Sequence, residues 1–180
     1  MHNLPPTLLT QRLSLKPQTL EDFDEVAEMW ADKEVVRFIS GQIRDRQDSW
    51  FTHLRNRGLW DLVGYGYWIV RERKTGTFVG EVGFADFMRA MQPDISGRPE
   101  AGWALAKSAW GKGYATEAVL AAHNWLDNAM PGRSTCIIDP DHAVSIRIAM
   151  KVGYTELGPS DYRGSPVLVF ERFSQHSGSV

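Results

Sequence analysis

The stretch Trp110-Gly111-Lys112-Gly113-Tyr114-Ala115-Thr116-Glu117-Ala118 follows the apolar run Ala101-Gly102-Trp103-Ala104-Leu105-Ala106 and opens a helical pattern that continues to about Met130. Two glycines in a turn between a strand and a helix let backbone N–H groups converge on an anion, and the helix N-terminus adds about half a positive charge. A ligand carrying phosphates fits such a turn. It is not a P-loop, which needs Gly-x-x-x-x-Gly-Lys followed by Ser or Thr, because Gly113 is followed by Tyr114. A dinucleotide fingerprint needs a third glycine, which is missing here. A second polar stretch, Asp139-Pro140-Asp141-His142-Ala143-Val144-Ser145, leads through Ile146 to Lys151 and on to Gly153-Tyr154.

Together these stretches resemble the GNAT superfamily of acetyl-CoA-dependent N-acetyltransferases, in particular its RimJ/RimL-like branch of ribosomal-protein N-terminal acetyltransferases. The family pattern Gln/Arg-x-x-Gly-x-Gly/Ala reads Trp110-Gly111-Lys112-Gly113-Tyr114-Ala115, with Trp110 in place of Gln or Arg. An Asn three residues before Ser, then Lys-x-Gly-Phe, reads as His142, Ser145 and Lys151-Val152-Gly153-Tyr154. Thr10-Gln11-Arg12-Leu13-Ser14-Leu15-Lys16-Pro17 is similar to that branch's first strand. The likeness spans roughly residues 7 to 173. It implies a mixed, mostly antiparallel sheet of six to seven strands with two central strands splayed apart for the cofactor.

The resemblance implies acetyl-CoA as donor, with Trp103, Ala104 and Leu105 bonding the pantetheine through their backbone. Gly111, Lys112, Gly113, Tyr114, Ala115 and Thr116 would receive the pyrophosphate. Trp103 and Leu105 also suit core packing, and Lys112 suits water as well as phosphate. Transfer of an acetyl group to an amine needs a route for the ammonium proton, a donor for the oxyanion and a proton for the thiolate. The Tyr that many relatives place four residues before the closing glycine is Ala149 here. Ser145, one helical turn earlier, is the candidate donor to sulfur; its alternative is a hydroxyl bonding a nearby carbonyl. His142 either keeps the Asn contact to the cofactor or caps the helix. The base is Glu100, Glu81, Asp161 or water. Glu117, in the first turn of the cofactor helix, reads as structural.

The elements that must hold these groups alternate along the chain. Leu13 and Leu15 mark a strand ended by Pro17. Leu20, Phe23, Ala27 and Trp30 recur at helical spacing behind a capping pair, Thr19 and Asp22. A second helix is predicted over 48–57 with Trp50, Phe51 and Leu54 inward. Strands follow over 65–70 and 77–84, turned at Thr75-Gly76, with Glu81 opposite Phe78, Val82 and Phe84. After a loop, Phe87 to Pro99, come the cofactor strand from Glu100 to Ala106 and its helix, stopped by Pro131-Gly132. A buried strand over 135–138, a helix over 143–152 and an alternating strand with Val167, Val169 and Phe173 close an α/β chain. Acceptor contacts are expected from 37–56 and 87–98. The aromatic set Trp50, Trp60, Tyr65, Tyr67, Trp68, Phe84 and Phe87 lines either the site or the core.

At 180 residues and 43% hydrophobic, the chain suffices for one acetyltransferase domain with a real core, ending in a flexible tail after about residue 174. Its 20 Lys and Arg against 22 Asp and Glu give no basic excess for nucleic acid. The one cysteine, Cys136, fits a reducing compartment and a buried apolar role, not a nucleophile. No apolar run approaches the ~20 residues of a membrane span, and Met1 to Pro6 lack a secretory pattern. Cytoplasmic location and a monomer or homodimer are expected. His53 and His123 share no metal-ligand spacing with each other or with Cys136, so no metal is expected. The leading reading is acetyl transfer by direct attack of a primary amine, from a peptide or a small compound. The rival is an acyl-CoA-binding module that has lost catalysis.

Overall fold

The computed structural model describes residues 5–174; the tail expected after residue 174 lies outside them. Alternation at Leu13 and Leu15 produces β2 (Leu13–Pro17), to which a two-residue β1 (Leu8–Leu9) adds an outer edge. The Asp22 carboxylate accepts from both Thr19 N and Thr19 Oγ1 at 2.9 Å, closing the expected cap. Behind it, α1 (Phe23–Ala31) buries Phe23, Val26, Ala27, Met29 and Trp30, whereas Leu20 is exposed. A one-turn helix, α2 (Lys33–Val36), adds Val35 and Val36 to the same core.

The next helix, α3 (Arg46–Val63), is longer than predicted and turned the other way. Phe51 is 58% and Leu54 44% exposed; the inward residues are Ser49, His53, Asn56 and Trp60. Only Trp50 among the expected residues packs, edge-on to Phe23 at 4.9 Å. The reason lies beneath the helix, where the buried Glu81 carboxylate demands polar neighbours. Reading apolar residues as inward fails over a buried charge.

Two strands follow, β3 (Tyr67–Glu72) and β4 (Phe78–Ala85), joined at Thr75-Gly76 where Gly76 has φ +74°. Val70 pairs with Gly80 and Arg71 with Phe78, so Val79 is an extra, bulged residue. The bulge moves Phe78 onto the Glu81 face. Strict alternation, with Glu81 opposite Phe78, therefore holds only for Val82 and Phe84.

The second half comprises β5 (Glu100–Leu105), α4 (Tyr114–Ala129), β6 (Arg133–Ile138), α5 (Ala143–Lys151), β7 (Thr155–Tyr162) and β8 (Ser165–Phe173). Among the described residues the sheet has eight strands in the order β1-β2-β3-β4-β5-β6-β8-β7, against the six to seven expected. β1 and β7 account for the difference. β7 carries Gly158 and Pro159 and is mostly exposed, so it lacks strand alternation, and Pro is tolerated because β7 is an edge. Asp161, expected in a loop, lies in β7.

Every strand pairing is antiparallel except β5 with β6, which meet at one pair, Glu100↔Thr135. Beyond it the two strands part, so the splay is present. Helices α4 and α5 cover one face over Trp68, Val70, Val82, Phe84, Leu105 and Phe170. Helices α1 and α2 cover the other over Ile69, Phe78 and Ala104. Among the described residues, no helix is long and apolar enough to cross a membrane.

Candidate active site

Beyond β5 the chain turns through Gly111 (φ +74°) and Gly113 (φ +77°), left-handed conformations that glycine adopts without a Cβ clash. Among the described residues, the N–H groups of Gly111 to Thr116 have no acceptor, and Glu117 N is the first to bond back, to Gly113 O at 3.3 Å. Six unpaired donors at a helix N-terminus form an anion seat. The turn is held in place by Arg12, which donates to Lys112 O at 2.8 Å and to Glu117 Oε2 at 2.7 Å. Thr10 Oγ1 adds a bond to Glu117 Oε1 at 2.6 Å, so Glu117 ties this helix to the first strands. Tyr114 donates to Glu72 Oε1 at 2.7 Å, and Lys112 Nζ lies 3.8 Å from the same oxygen. Trp110, at the Gln/Arg position, donates its indole N–H to Leu105 O at 2.8 Å.

β4 pairs with β5 from Glu100 to Leu105, whereas β6 touches β5 only at Glu100. Residues Ala101 to Leu105 thus keep an edge without a strand partner, facing the slot. Trp103 and Leu105 join the core under α4 and α5, while Ala104 faces α1 and α2. Backbone and side chain serve different purposes here, as the sequence allows.

Ser145 is buried in the first turn of α5, and its Oγ accepts the Trp103 indole N–H at 3.1 Å. This bond links α5 to β5 and leaves the hydroxyl proton free to point elsewhere. His142 sits at the helix start without a side-chain capping bond; its ring stacks on Phe38 at 4.8 Å, and burial lowers its pKa. The turn before it is held by Asp139, which accepts Asp141 N–H at 2.8 Å. Ala149 is fully buried.

The candidate bases separate clearly. Glu100 is 5% exposed, and both its oxygens are gripped by Arg89, at 2.7 and 2.8 Å. Burial raises its pKa against the opposing pull of Arg89. Glu81 is sealed in: Gln18 donates to it, as do Trp30 Nε1 at 2.7 Å and Asn56 Nδ2 at 3.5 Å. Asp161 is exposed and accepts the Gly164 N–H across the β7–β8 turn. Only Glu100 stands where the slot begins, with Thr135 Oγ1 opposite it, buried and unpartnered.

The two segments expected to supply acceptor contacts do meet. The Arg55 guanidinium lies 5.4 Å from the Phe87 ring, and Arg89 lies 4.4 Å from Phe87 and 4.5 Å from Tyr162. Of the aromatic set, Trp60, Tyr65, Trp68 and Phe84 are core. Tyr67 and Phe87 are half-buried. Cys136 is buried and its thiol is pushed well above the ordinary range by desolvation. The sequence did not single out Arg89, Arg12 or Gln18, since a charged or amide residue has no local signal for a partner far along the chain.

Residues 12–155 match the family model described as an acetyltransferase (GNAT) domain. The uncharacterized protein YkkB of Bacillus subtilis (strain 168) is 30% identical over 178 residues, 96% of this chain and 98% of that protein. A protein of Bordetella pertussis assigned to the GnaT-family acetyltransferases superposes with a TM-score of 0.83 at 27% identity, covering 93% of this chain and 99% of that one. RimL, a ribosomal L7/L12 alpha-N-protein acetyltransferase in complex with coenzyme A, shares the fold at a TM-score of 0.75 and 15% identity, over 93% and 98% of the two chains. The chain belongs to the GNAT acetyltransferase family, and it is an enzyme that moves an acetyl group to an amine.

Proposed function

We propose that the donor is acetyl-CoA, with its pyrophosphate on the N–H groups of Gly111 to Thr116 and its pantetheine along the free edge of Trp103, Ala104 and Leu105. The observation that carries this reading is the pairing of six unpaired donors with a strand edge that opens directly from them. Lys112 adds positive charge beside the phosphates, and His142 lines the slot from the start of α5. Ser145, whose oxygen is already occupied by the indole of Trp103, gives its proton to the departing sulfur. Glu100, with a pKa raised by burial, is the destination of the ammonium proton. Burial of the thiol of Cys136 favours direct attack over an acetylated cysteine.

The acceptor is a primary amine on a peptide N-terminus or a small molecule. The RimL neighbour acts on a ribosomal protein, and a Salmonella typhimurium neighbour modifies the N-terminal serine of L7/L12, which makes peptide N-termini the first class to try. The test is acetyl-CoA titration followed by thiol release with Ser- and Ala-initiated tetrapeptides and with phenethylamine. Micromolar binding and amine-dependent thiol release are expected. Binding without release for any amine would instead favour an acyl-CoA-binding module, and no binding would overturn the cofactor assignment.

A further inference from the structure

On the sheet face opposite α4 and α5, Tyr67 of β3 pairs with Gly83 of β4, which pairs with Gly102 of β5; one step along, Ala85 pairs with Glu100. These residues share one face with Glu81. A Cβ added at Gly102 would overlap the Tyr67 hydroxyl, and one at Gly83 would overlap the Tyr67 backbone. Gly83 thus admits the close approach of the Tyr67 backbone, and Gly102 lets the phenol hydroxyl lie directly on β5, two residues from the pair where β5 and β6 part. Half-buried, the hydroxyl has no hydrogen-bond partner among the described residues.

A donor laid along β5 from the turn after Leu105 brings its acyl end toward Ala101 and Gly102. Ser145 and Trp103 then stand on the α4–α5 face of that acyl end, and Tyr67 stands on the opposite face. Burial first, and then the nearby Glu100 and Glu81 against the opposing Arg55 and Arg89, raises the phenol's pKa, so the hydroxyl keeps its proton. Such a field favours a cation or an N–H donor, and the free lone pairs of the phenol oxygen can accept from one.

We propose that Tyr67 Oη accepts an N–H hydrogen bond from the acceptor's amine and holds that nitrogen against the acyl carbon, from the face opposite Ser145. This rests on the acetyl-CoA reading above. One ammonium proton leaves toward Glu100; the nitrogen then forms the C–N bond as the C–S bond breaks, and its second proton ends on the departing sulfur by way of Ser145. Tyr67 neither gains nor loses a proton overall. Its part is to position the nucleophile.

Tyr67→Phe tests this, because the ring against Gly102 stays while the oxygen goes. Loss of one hydrogen bond to a charged or charging nitrogen should lower kcat/KM for the amine about tenfold or more. The amines are a Ser-initiated tetrapeptide, an Ala-initiated tetrapeptide and phenethylamine. The KM and dissociation constant for acetyl-CoA should stay within twofold. An amine kcat/KM within twofold of the parent enzyme overturns the proposal. So does a parallel loss of acetyl-CoA affinity, which would put the hydroxyl in the service of the donor or the fold. A parent enzyme that binds acetyl-CoA but acetylates no amine refutes the functional reading itself, a result distinct from an active enzyme indifferent to Tyr67→Phe.

Discussion

Removing the Ser145 hydroxyl should separate a catalytic from a structural role, since its oxygen and its proton serve different partners. The oxygen accepts the Trp103 indole N–H at 3.1 Å, and only the proton remains for the sulfur. In Ser145→Ala the indole loses its acceptor. Trp103 is half-buried, so the cost in stability is about 1 kcal/mol, or a melting temperature lower by about 2–4 °C for a chain of this size. The loss in catalysis is separate. An O–H to a developing thiolate is worth roughly 1.5–3 kcal/mol, which is on the order of 10- to 100-fold in kcat. Acetyl-CoA affinity should hold, because the bond strengthens only as the sulfur gains charge. Initial rates by thiol release, calorimetric titration of acetyl-CoA and a melting curve give the three quantities. Trp103→Phe is the control: it removes the indole N–H, leaves Ser145 its proton and should keep kcat within about threefold. If Ser145→Ala stays within twofold in kcat, or if Trp103→Phe loses as much, then the hydroxyl is a structural acceptor and the sulfur takes its proton from water.

Three further outcomes follow from the same geometry. Gly113→Val places a β-branched residue at φ +77°, costing at least ~1–2 kcal/mol of stability, and should weaken CoA binding tenfold or more; unchanged affinity in the folded variant would refute the pyrophosphate assignment. Cys136→Ala should retain turnover, and intact-mass measurement after acetyl-CoA incubation should show no acetyl on Cys136; stoichiometric acetylation there would end the direct-transfer reading. His123 is buried neutral, bonded to Val119 O and to Tyr154, with its pKa pushed down to about 4. Below pH ~6.5 the unfolded chain takes up a proton that the folded chain refuses until about 4, so stability is full above ~6.5 and falls toward pH 4. The loss reaches about 3 kcal/mol, and His123→Gln should flatten that slope in urea titrations; parallel curves would contradict it.

Much of the fold could be read from residue order because local patterns agreed with it. Thr19 and Asp22 marked a cap, Thr75-Gly76 a hairpin and Gly111 and Gly113 a left-handed turn before α4, each a short-range chemical requirement. The misreadings came from distant partners. Asn56 faces inward to meet the Glu81 carboxylate on β4, and His53 turns inward to the Thr19 carbonyl, both partners far along the chain. Phe78 changes faces because of one bulged residue, and β7 hides its strand character behind Gly158 and Pro159. Ser145 is a candidate drawn from its place in a motif, whereas Tyr67 enters only as one of seven aromatics lining either the site or the core. Its position depends on the absence of side chains at Gly83 and Gly102, 16 and 35 residues further along the chain, and no spacing rule links the three.

The meeting of β5 and β6 at one residue pair has a consequence for the working cycle. Strands β1 to β5 form one hydrogen-bonded ladder and β6, β8 and β7 another, stitched together by Glu100↔Thr135 and by the helices that straddle the gap. A donor whose amides run along the open edge becomes a guest strand, lending the sheet a rung it cannot make from its own chain. If acetyl-CoA binds as proposed, loading the enzyme would be partly an act of folding and releasing CoA partly an act of local unfolding. On that reading, the seam at Glu100↔Thr135 is where the sheet would feel the donor arrive and leave.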